Sequence, residues 1–235
     1  MNILCTICMR GGSRGVKNKN LIKIYNKPLF YYSIKTAKNS NIFSDIVVST
    51  DSNKIIKNCS LFGIKHFVKR PNFFAKDKSP KIPVIRHALL EMEKKLNKKY
   101  EIIIDLDVTS PLRIVDDIKK ALIKFKKKKS DILFTVCKAR KNPYFNLVEK
   151  RKEKVKLVKF LPKIISSRQM APKVYDMNAS IYVWKRRALI KYNTLFTKNT
   201  SIFLMPVDRS FDIDTVLDLE IIKFLMNKNK KKYNY

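Results

Sequence analysis

The sequence predicts an α/β protein with a Rossmann-like, three-layer α/β/α fold and a mostly parallel central sheet. Short apolar runs alternate with helix-type patterns up to about Arg140, which is the order expected of repeated β–α units. Polar segments follow several of these runs, and in a parallel sheet such segments meet at the carboxyl edge, where ligands bind. With 235 residues, 45% of them hydrophobic, the chain is long enough for one substantial core.

The alternation can be followed element by element through the first part of the chain. Pro28 suits the first turn of a helix that runs to about Asn39, and Ser52 can cap a helix that Gly63 ends. Two further segments have helical periodicity: Ile82–Leu96 and Val115–Lys127. The predicted strands are Ile3–Met9, Ile46–Ser49, Lys65–Val68, Glu101–Leu106 and Ile132–Cys137, with a long polar loop at 70–80.

The regular alternation stops after about Arg140. The next segments predict a hairpin, two more strands and a last helix, at Asn146–Glu149 with Val155–Phe160, at Ile181–Trp184, at Ile202–Pro206 and at Val216–Met226. Residues 140–175 contain too little apolar sequence for a core of their own, so we expect them to form an arm that reaches a second copy of the chain. Residues 1–226 form the single predicted domain, and 227–235 form a polar tail.

The net charge of +33 invites a nucleic-acid interpretation, which remains the distant alternative. The excess consists mainly of scattered lysine, 41 Lys against 11 Arg, so we interpret it as solvated surface that attracts small anionic substrates. No run approaches the length needed to span a bilayer, and Met1–Arg10 lacks the features of a secretory signal. We therefore expect a cytoplasmic protein with no membrane or nucleic-acid partner.

The cysteines and histidines predict no metal centre. Cys5 and Cys8 lie three residues apart in a predicted strand, so their thiols point to opposite faces and cannot share an ion. We expect all four cysteines to be reduced. His66 and His87 have no partner cluster, which favours structural roles.

Three of the four glycines in the chain lie in one loop, at Gly11, Gly12 and Gly15. The loop follows the first predicted strand and carries cationic or amide side chains at Arg10, Arg14, Lys17, Lys19 and Asn20. Glycines allow the backbone to approach a ligand closely, and loop N–H groups with cations suit a phosphate chain. A surface turn with incidental lysines is the alternative.

Two pairs of carboxylates could hold a divalent cation. Asp212 and Asp214 are separated by one residue, so in an extended segment they face the same side while Phe211 and Ile213 face the core. Such a pair opposite a cationic loop suits Mg²⁺ bound to nucleotide phosphates. Asp105 and Asp107 have the same spacing at another strand end and compete for this role.

An ordered set of motifs along nearly the whole chain resembles the CMP-sugar synthetases, the cytidylyltransferases of sialic-acid-like sugars. The first motif is the loop at 10–20. The later ones are Ser49-Thr50-Asp51, Arg70-Pro71, Thr109-Ser110-Pro111-Leu112-Arg113, Arg168-Gln169, Asn178-Ala179 and Phe211-Asp212-Ile213-Asp214. The resemblance implies a nucleotidyltransferase fold, a homodimer, and a reaction in which CTP and a nine-carbon 2-keto acid sugar give CMP-sugar and pyrophosphate.

The resemblance also implies a role for each matching residue. Arg10, Lys19, Asp212 and Asp214 would be catalytic, and Asp212 with Asp214 would bind Mg²⁺. The nucleotide would be held by Arg10, Gly11, Gly12, Ser13, Arg14, Lys19, Asn20, Arg70 and Ser79. The sugar would be held by Asp107, Thr109, Arg168, Gln169, Tyr175 and Asn178.

Two departures from the sialic-acid pattern bear on the sugar. Asp107 stands where those enzymes usually have Gln, and Tyr175-Asp176-Met177 precedes Asn178 in place of Arg-Pro. Both stretches look more like the branch that acts on legionaminic acid. CMP-N-acetylneuraminate and CMP-pseudaminate synthetases are the alternatives, and a 3-deoxy-manno-octulosonate enzyme would share the loop but should lack Arg168-Gln169 and the following Asn-Ala motif.

Overall fold

The computed structural model describes residues 1–12, 16, 18–76, 79–162 and 165–229. The strands of this part are β1 Ile3–Cys8, β2 Lys23–Ile24, β3 Lys27–Pro28, β4 Asp45–Thr50, β5 His66–Lys69, β6 Ile102–Leu106, β7 Ile132–Lys138, β8 Val148–Arg151, β9 Lys154–Leu157, β10 Tyr175–Lys185 and β11 Thr200–Leu204. The α-helices are α1 Leu29–Ser40, α2 Asn53–Ser60, α3 Lys81–Leu96, α4 Val115–Lys127, α5 Arg186–Lys191 and α6 Val216–Lys228. Among them, no helix is both long and apolar enough to cross a bilayer.

Seven strands form the central sheet, in the order β11-β7-β10-β6-β1-β4-β5. All neighbouring pairs are parallel except the two that β10 makes with β6 and β7. The predicted mostly parallel sheet is therefore confirmed, with one antiparallel strand inserted at its middle. A strand that runs against its neighbours brings its amino-terminal half to the carboxyl edge of the parallel strands.

Helices cover both faces of this sheet, as the three-layer prediction requires. Alternate residues of β1 show the two faces: Ile3, Cys5 and Ile7 belong to one buried apolar cluster and Leu4 to the other. The first cluster includes residues of α1, α2, α4 and α6, and the second includes residues of α3 and α5. The sheet is thus buried on both sides, which explains why its strands read as continuous apolar runs.

Local signals fix most helix ends where the sequence predicts them. Pro28 precedes α1 in extended conformation, and the Ser52 hydroxyl accepts the Ile55 N–H at 3.4 Å at the start of α2. Gly63 follows α2 with φ of +73°, a conformation that favours glycine. At α6, Thr215 and Asp218 form a reciprocal capping box.

The sequence prediction was incomplete around β10 and α5. Only Ile181–Trp184 was predicted as strand, but pairing begins at Tyr175 and is interrupted by an irregularity between Met177 and Tyr182. The first half of β10 contains polar side chains, so it does not read as an apolar run. Its pairing with β7 is irregular near Ala179, which has a φ of +50°. The short helix α5 was not predicted either. The predicted arm hairpin is present as β8 and β9, which pair with each other around a turn at 152–153.

Candidate active site

A cavity of about 390 Å³ opens at the carboxyl edge of the parallel strands. Nine of the residues that the sequence nominates line it: Arg10, Gly12, Lys19, Asn20, Arg70, Ser79, Asp107, Thr109 and Asp214. They come from five separate stretches of the chain, and the fold brings them together because each stretch follows a strand or precedes a helix at this edge. Ser13 and Arg14, also nominated, lie outside the described residues.

The glycine loop at the cavity is tied down at both ends. The Gly11 N–H donates to Asp51 Oδ1 at 2.8 Å, and Asn20 Nδ2 donates to the Arg10 carbonyl at 2.9 Å. A Cβ atom on Gly11 would lie 3.0 Å from the Ser52 Cβ, whereas one on Gly12 would meet no atom of the described residues within 4 Å. Gly11 therefore packs closely against the residue that caps α2, where a side chain would force a small shift, and Gly12 faces the cavity.

Arg70 presents a buried cation at the same cavity. Its side chain follows β5, and one terminal nitrogen, Nη2, donates to the Ser49 carbonyl at 3.0 Å. Its Nε atom is buried and has no hydrogen-bond partner among the described residues. Because an unpaired buried donor is costly, a ligand oxygen that accepts from Nε would be favoured here. Ser79 lines the same wall, with its hydroxyl donating to the Phe73 carbonyl at 3.0 Å.

Of the two carboxylates before α6, Asp214 lines the first cavity, whereas Asp212 is not among the residues that line it. Ile213 between them is fully buried and Phe211 packs against the core, which agrees with the predicted alternation. Lys19 Nζ lies 3.0 Å from Asp214 Oδ1 and also donates to the Ile213 carbonyl. Burial raises the pKa of the Asp212 carboxyl, and the negative charges of Asp214, Asp107 and Asp218 raise it further.

These properties suit a bound Mg²⁺ at Asp212 and Asp214. A cation would stabilise the ionised form of Asp212, whose pKa is raised by burial and by the neighbouring negative charge of Asp214. Mg²⁺ commonly takes only one or two protein carboxylates and completes its shell with water and substrate phosphates. The described residues contain no group of three or more His, Cys, Asp or Glu that would form a full protein cage. The residues present fit a substrate-shared ion.

The competing pair, Asp105 and Asp107, has a cation of its own. Lys81 Nζ lies 2.9 Å from Asp105 Oδ2 and 2.6 Å from Asp107 Oδ2. Burial alone would raise the pKa of Asp107, but the charge and hydrogen bond of Lys81 and two hydrogen bonds from Thr109 outweigh burial and hold that pKa below its ordinary value. Lys81 contacts both carboxylates of this pair, whereas Lys19 pairs with one carboxylate of the other, Asp214. Asp212 and Asp214 are therefore the better pair for Mg²⁺.

Three nominated sugar residues line a second cavity. Arg168, Gln169 and Tyr175 surround a space of about 490 Å³ at the base of the arm, together with Arg140 and Lys173. Arg168 Nη2 donates to the Arg140 carbonyl at 3.2 Å. Within one chain the structure does not bring these three residues to the first cavity.

Asn178 lies in the core and lines neither of these two cavities. It is 3% exposed, Thr135 donates to its Oδ1 at 2.7 Å, and its Nδ2 donates to Ser210 at 2.9 Å. Its amide thus joins β7, β10 and the segment before α6. A contact with the sugar would require these bonds to break, so the geometry favours a structural role over the nominated binding role.

Several residues at the site carried no role in the sequence analysis. Lys76, Lys81 and Met9 line the first cavity. Arg113 is buried, and its guanidinium donates to the Ser180 carbonyl at 2.7 Å, to Ser33 Oγ at 2.6 Å and to the Asp107 carbonyl at 3.0 Å. Burial lowers the pKa of Arg113 to about 10. A lysine at the first position of a helix was the available signal for Lys81, but 40 other lysines obscure it.

The family model described as Cytidylyltransferase matches residues 4–235. The CMP-N,N'-diacetyllegionaminic acid synthase of Campylobacter jejuni is 48% identical over 225 residues, which cover 96% of this chain and 95% of that protein. The post-translational flagellin modification protein B of Campylobacter coli is 47% identical over 226 residues, with 96% and 95% covered.

A solved structure shares the fold at low sequence identity. The CMP:2-keto-3-deoxy-manno-octonic acid synthetase complexed with CTP superposes with a TM-score of 0.70 and 17% identity. The match covers 97% of this chain and 100% of that one. At this identity the likeness concerns the fold alone.

Proposed function

The chain belongs to the cytidylyltransferase family, and from this premise we propose that it transfers the CMP group of CTP to a nine-carbon 2-keto acid sugar of the legionaminic acid type. The observation that carries the proposal is the convergence of the glycine loop, Arg70, Lys19 with Asp214, and Asp107 on one cavity. The 48% identity to a synthase of CMP-N,N'-diacetyllegionaminic acid supports the choice of sugar class.

In the proposed reaction the anomeric hydroxyl oxygen of the sugar attacks the α-phosphorus of CTP. A bond forms between that oxygen and phosphorus, the bond from the α-phosphorus to the bridging oxygen breaks, and pyrophosphate leaves. The hydroxyl proton passes to solvent. Little covalent work is asked of the protein, so positioning and charge neutralisation account for the rate.

The cationic wall of the cavity would bind the triphosphate. The open side of Gly12 lets phosphate oxygens approach the loop backbone, and Arg10 and Lys19 add positive charge. Arg70 Nε and the Ser79 and Asn20 side chains would contact the cytidine.

Asp212 and Asp214 would hold Mg²⁺ together with the substrate phosphates. The ion, when bound, supplies charge to the reacting phosphate and can lower the pKa of a hydroxyl that contacts it. The protein's own part is to direct the Asp212 and Asp214 side chains away from the core, which the burial of Ile213 between them favours.

We also infer that the active species is a homodimer and works in the cytoplasm, where CTP is available. The arm at 140–175 supports the dimer, because it carries exposed apolar side chains such as Val148, Val155 and Phe160, each at least 60% exposed. Arg168, Gln169 and Tyr175 would then complete the sugar site of the neighbouring chain.

Pyrophosphate release tests the proposed function directly. The purified protein is given each of the four NTPs with Mg²⁺ and one of four sugars: N,N'-diacetyllegionaminic, N-acetylneuraminic, pseudaminic or 3-deoxy-manno-octulosonic acid. We expect release only with CTP, and the highest kcat/KM with the legionaminic acid. Release with no sugar of this panel, or binding of random duplex DNA at physiological salt in place of catalysis, would overturn the proposal.

A further inference from the structure

Lys81 joins helix α3 to the end of strand β6 at the candidate active site. It is the first residue of α3, and its ammonium bridges two carboxylates of the β6 end, at 2.9 Å from Asp105 and 2.6 Å from Asp107. The same nitrogen lies 4.5 Å from the centre of the Tyr182 ring. Lys81 also lines the candidate active site and keeps 32% of its side chain exposed.

The two carboxylates differ in what they need from this cation. Asp105 is fully buried, and its other oxygen accepts from Thr6 Oγ1 at 2.7 Å, so it lies beneath the cavity floor. Asp107 is partly exposed at the cavity wall. Its Oδ1 accepts from the Thr109 N–H at 3.1 Å and from Thr109 Oγ1 at 3.0 Å, and its Oδ2 accepts from Lys81.

Three donors therefore fix the orientation of the Asp107 carboxylate. Two come from Thr109, two residues further along the same loop, and they would move together with Asp107 if the loop shifted. Lys81 is the described donor that ties the carboxylate to a different element, α3. An ionised carboxylate accepts about four hydrogen bonds, so roughly one acceptor position remains for a ligand.

We propose that Lys81 is a positioning residue that holds the Asp107 carboxylate in the orientation in which its remaining acceptor position selects the sugar. The inference rests on the proposed function. Lys81 acts through Asp107, and Asp105 anchors the lysine from below. Besides these two carboxylates, the Tyr182 ring makes a cation–π contact with the Lys81 ammonium and helps to hold it in place.

The test measures KM and kcat for each substrate separately in Lys81→Met and Lys81→Arg. We expect Lys81→Met to raise KM for the sugar by about tenfold, the effect of one lost orienting contact, and to leave KM for CTP within about threefold of wild type. Lys81→Arg keeps the charge and should restore most of the sugar affinity. A purely structural lysine would show no difference between the two substrates.

Double-mutant coupling separates action through Asp107 from direct contact with substrate. If Lys81 acts through Asp107, then adding Lys81→Met to Asp107→Asn should change KM for the sugar by less than about twofold, although each single change is costly. Full multiplication of the two effects would overturn the inference, since it would mean that Lys81 contacts the sugar itself.

Folding is controlled with two further variants. Removing Lys81 leaves the buried Asp105 without an ion pair among the described residues, which can unfold a protein. Lys81→Met is therefore repeated with Asp105→Asn to remove that charge. Lys98→Met is the matched control, because Lys98 is 31% exposed, pairs with Asp45 at 2.7 Å and lies 5.3 Å from a tyrosine ring, away from the site. We expect normal kinetics in Lys98→Met.

The outcomes separate this inference from the proposed function. An inactive wild-type protein would refute the proposed function. An active wild type together with a folded Lys81→Met/Asp105→Asn variant of unchanged sugar KM would refute the positioning role alone. An equal rise of KM for CTP and sugar would also refute it.

Discussion

Lys19 Nζ lies 3.0 Å from Asp214 Oδ1, although the two residues are 195 positions apart in the chain. Lys19 follows the glycine loop, and Asp214 lies two residues before the start of α6. The lysine side chain is 12% exposed and the aspartate 75%, so the pair sits at the rim of the cavity with the cation on the inner side. The cation proposed for the triphosphate and the carboxylate proposed for Mg²⁺ therefore neutralise each other in the unliganded chain.

Replacing Lys19 with alanine should mainly weaken the handling of CTP. The change removes a positive charge at the cavity, so KM for CTP should rise by about tenfold or more while KM for the sugar changes little. The measurement is initial-rate kinetics with one substrate varied at a time. Lys23→Ala, at an exposed position just after the loop, is the control for net charge. Normal CTP kinetics in Lys19→Ala would show that this lysine does not face the triphosphate.

Substitutions at the two described loop glycines should have different effects, one on nucleotide binding and the other on thermal stability. Gly12→Val places a side chain in open space at the cavity, so the protein should keep its Tm but lose CTP binding and turnover. Gly11→Ala places a Cβ atom 3.0 Å from the Ser52 Cβ, so it should lower Tm by pushing the loop from α2. Calorimetry and nucleotide titration measure the two effects. Both should cost more activity than replacement of Lys17, and a fully active Gly12→Val variant would contradict the phosphate assignment.

The sequence predicted much of this site because the important residues share one kind of location. Arg10, Asp51 and Asp107 each follow an apolar run, and parallel strands bring their carboxyl ends to one edge. The contacts between these segments could not be predicted. Nothing in the local sequence indicates that Lys81 meets Asp107 or that Lys19 meets Asp214, since such pairs depend on the packing of α3 and α6.

The burial of Asn178 could not be predicted from the sequence. Its motif suggested a ligand contact, but β10 begins six residues before the apolar run that was recognised, and this places the amide in the core. A strand made of polar residues lacks the alternation of apolar side chains by which strands are predicted from sequence. Tertiary hydrogen bonds with Thr135 and Ser210 supply the stability that the local pattern does not predict.

Asp212→Asn should lower turnover and raise the thermal stability of the protein. The pKa of Asp212 is raised in the folded protein. The free energy of unfolding of the wild type therefore falls as the pH rises from the ordinary aspartate pKa through the raised value. At neutral pH the neutral amide removes this cost, and Tm should rise, by about 2–4 °C for each 1 kcal/mol gained. Turnover should fall on the order of a hundredfold or more, because charge at the reacting phosphate is lost.

The stability gain of Asp212→Asn should vanish below a pH of about 3.9, because Asp212 of the wild type is then protonated in both the folded and the unfolded protein. Asp116→Asn is the control, since Asp116 is an exposed carboxylate on α4. Asp105→Ala tests the competing pair. Loss of Mg²⁺-dependent activity in a folded Asp105→Ala variant, with activity retained in Asp212→Asn, would mean that the wrong carboxylates were assigned.

The arm should complete the sugar site of a neighbouring chain. We expect a dimer by light scattering, and Val155→Lys with Phe160→Lys should dissociate it, because both side chains are exposed and apolar in the single chain. Arg168→Ala and Asp212→Asn should each be nearly inactive. Mixed and reassembled, they should recover about a quarter of wild-type activity, since half the dimers are mixed and one of two sites in each is intact. A monomer with full activity would refute the arm's role.

The choice of sugar should depend on Asp107. This carboxylate lies at the cavity wall with three protein donors and about one acceptor position left, and it offers no donor of its own. A sugar that presents an N–H group there gains a charge-assisted hydrogen bond, whereas a sugar that presents an acceptor is repelled. We therefore expect wild type to prefer a legionaminic acid derivative over N-acetylneuraminic acid by kcat/KM, by about tenfold, which corresponds to about 1.4 kcal/mol.

Asp107→Gln supplies both a donor and an acceptor and should bring the kcat/KM values for the two sugars closer together. Because Lys81 would lose its partner, the comparison uses the ratio between the two sugars within each variant, so that a general loss of activity cancels. An unchanged ratio in Asp107→Gln, or equal kcat/KM for both sugars in wild type, would show that Asp107 does not read the sugar.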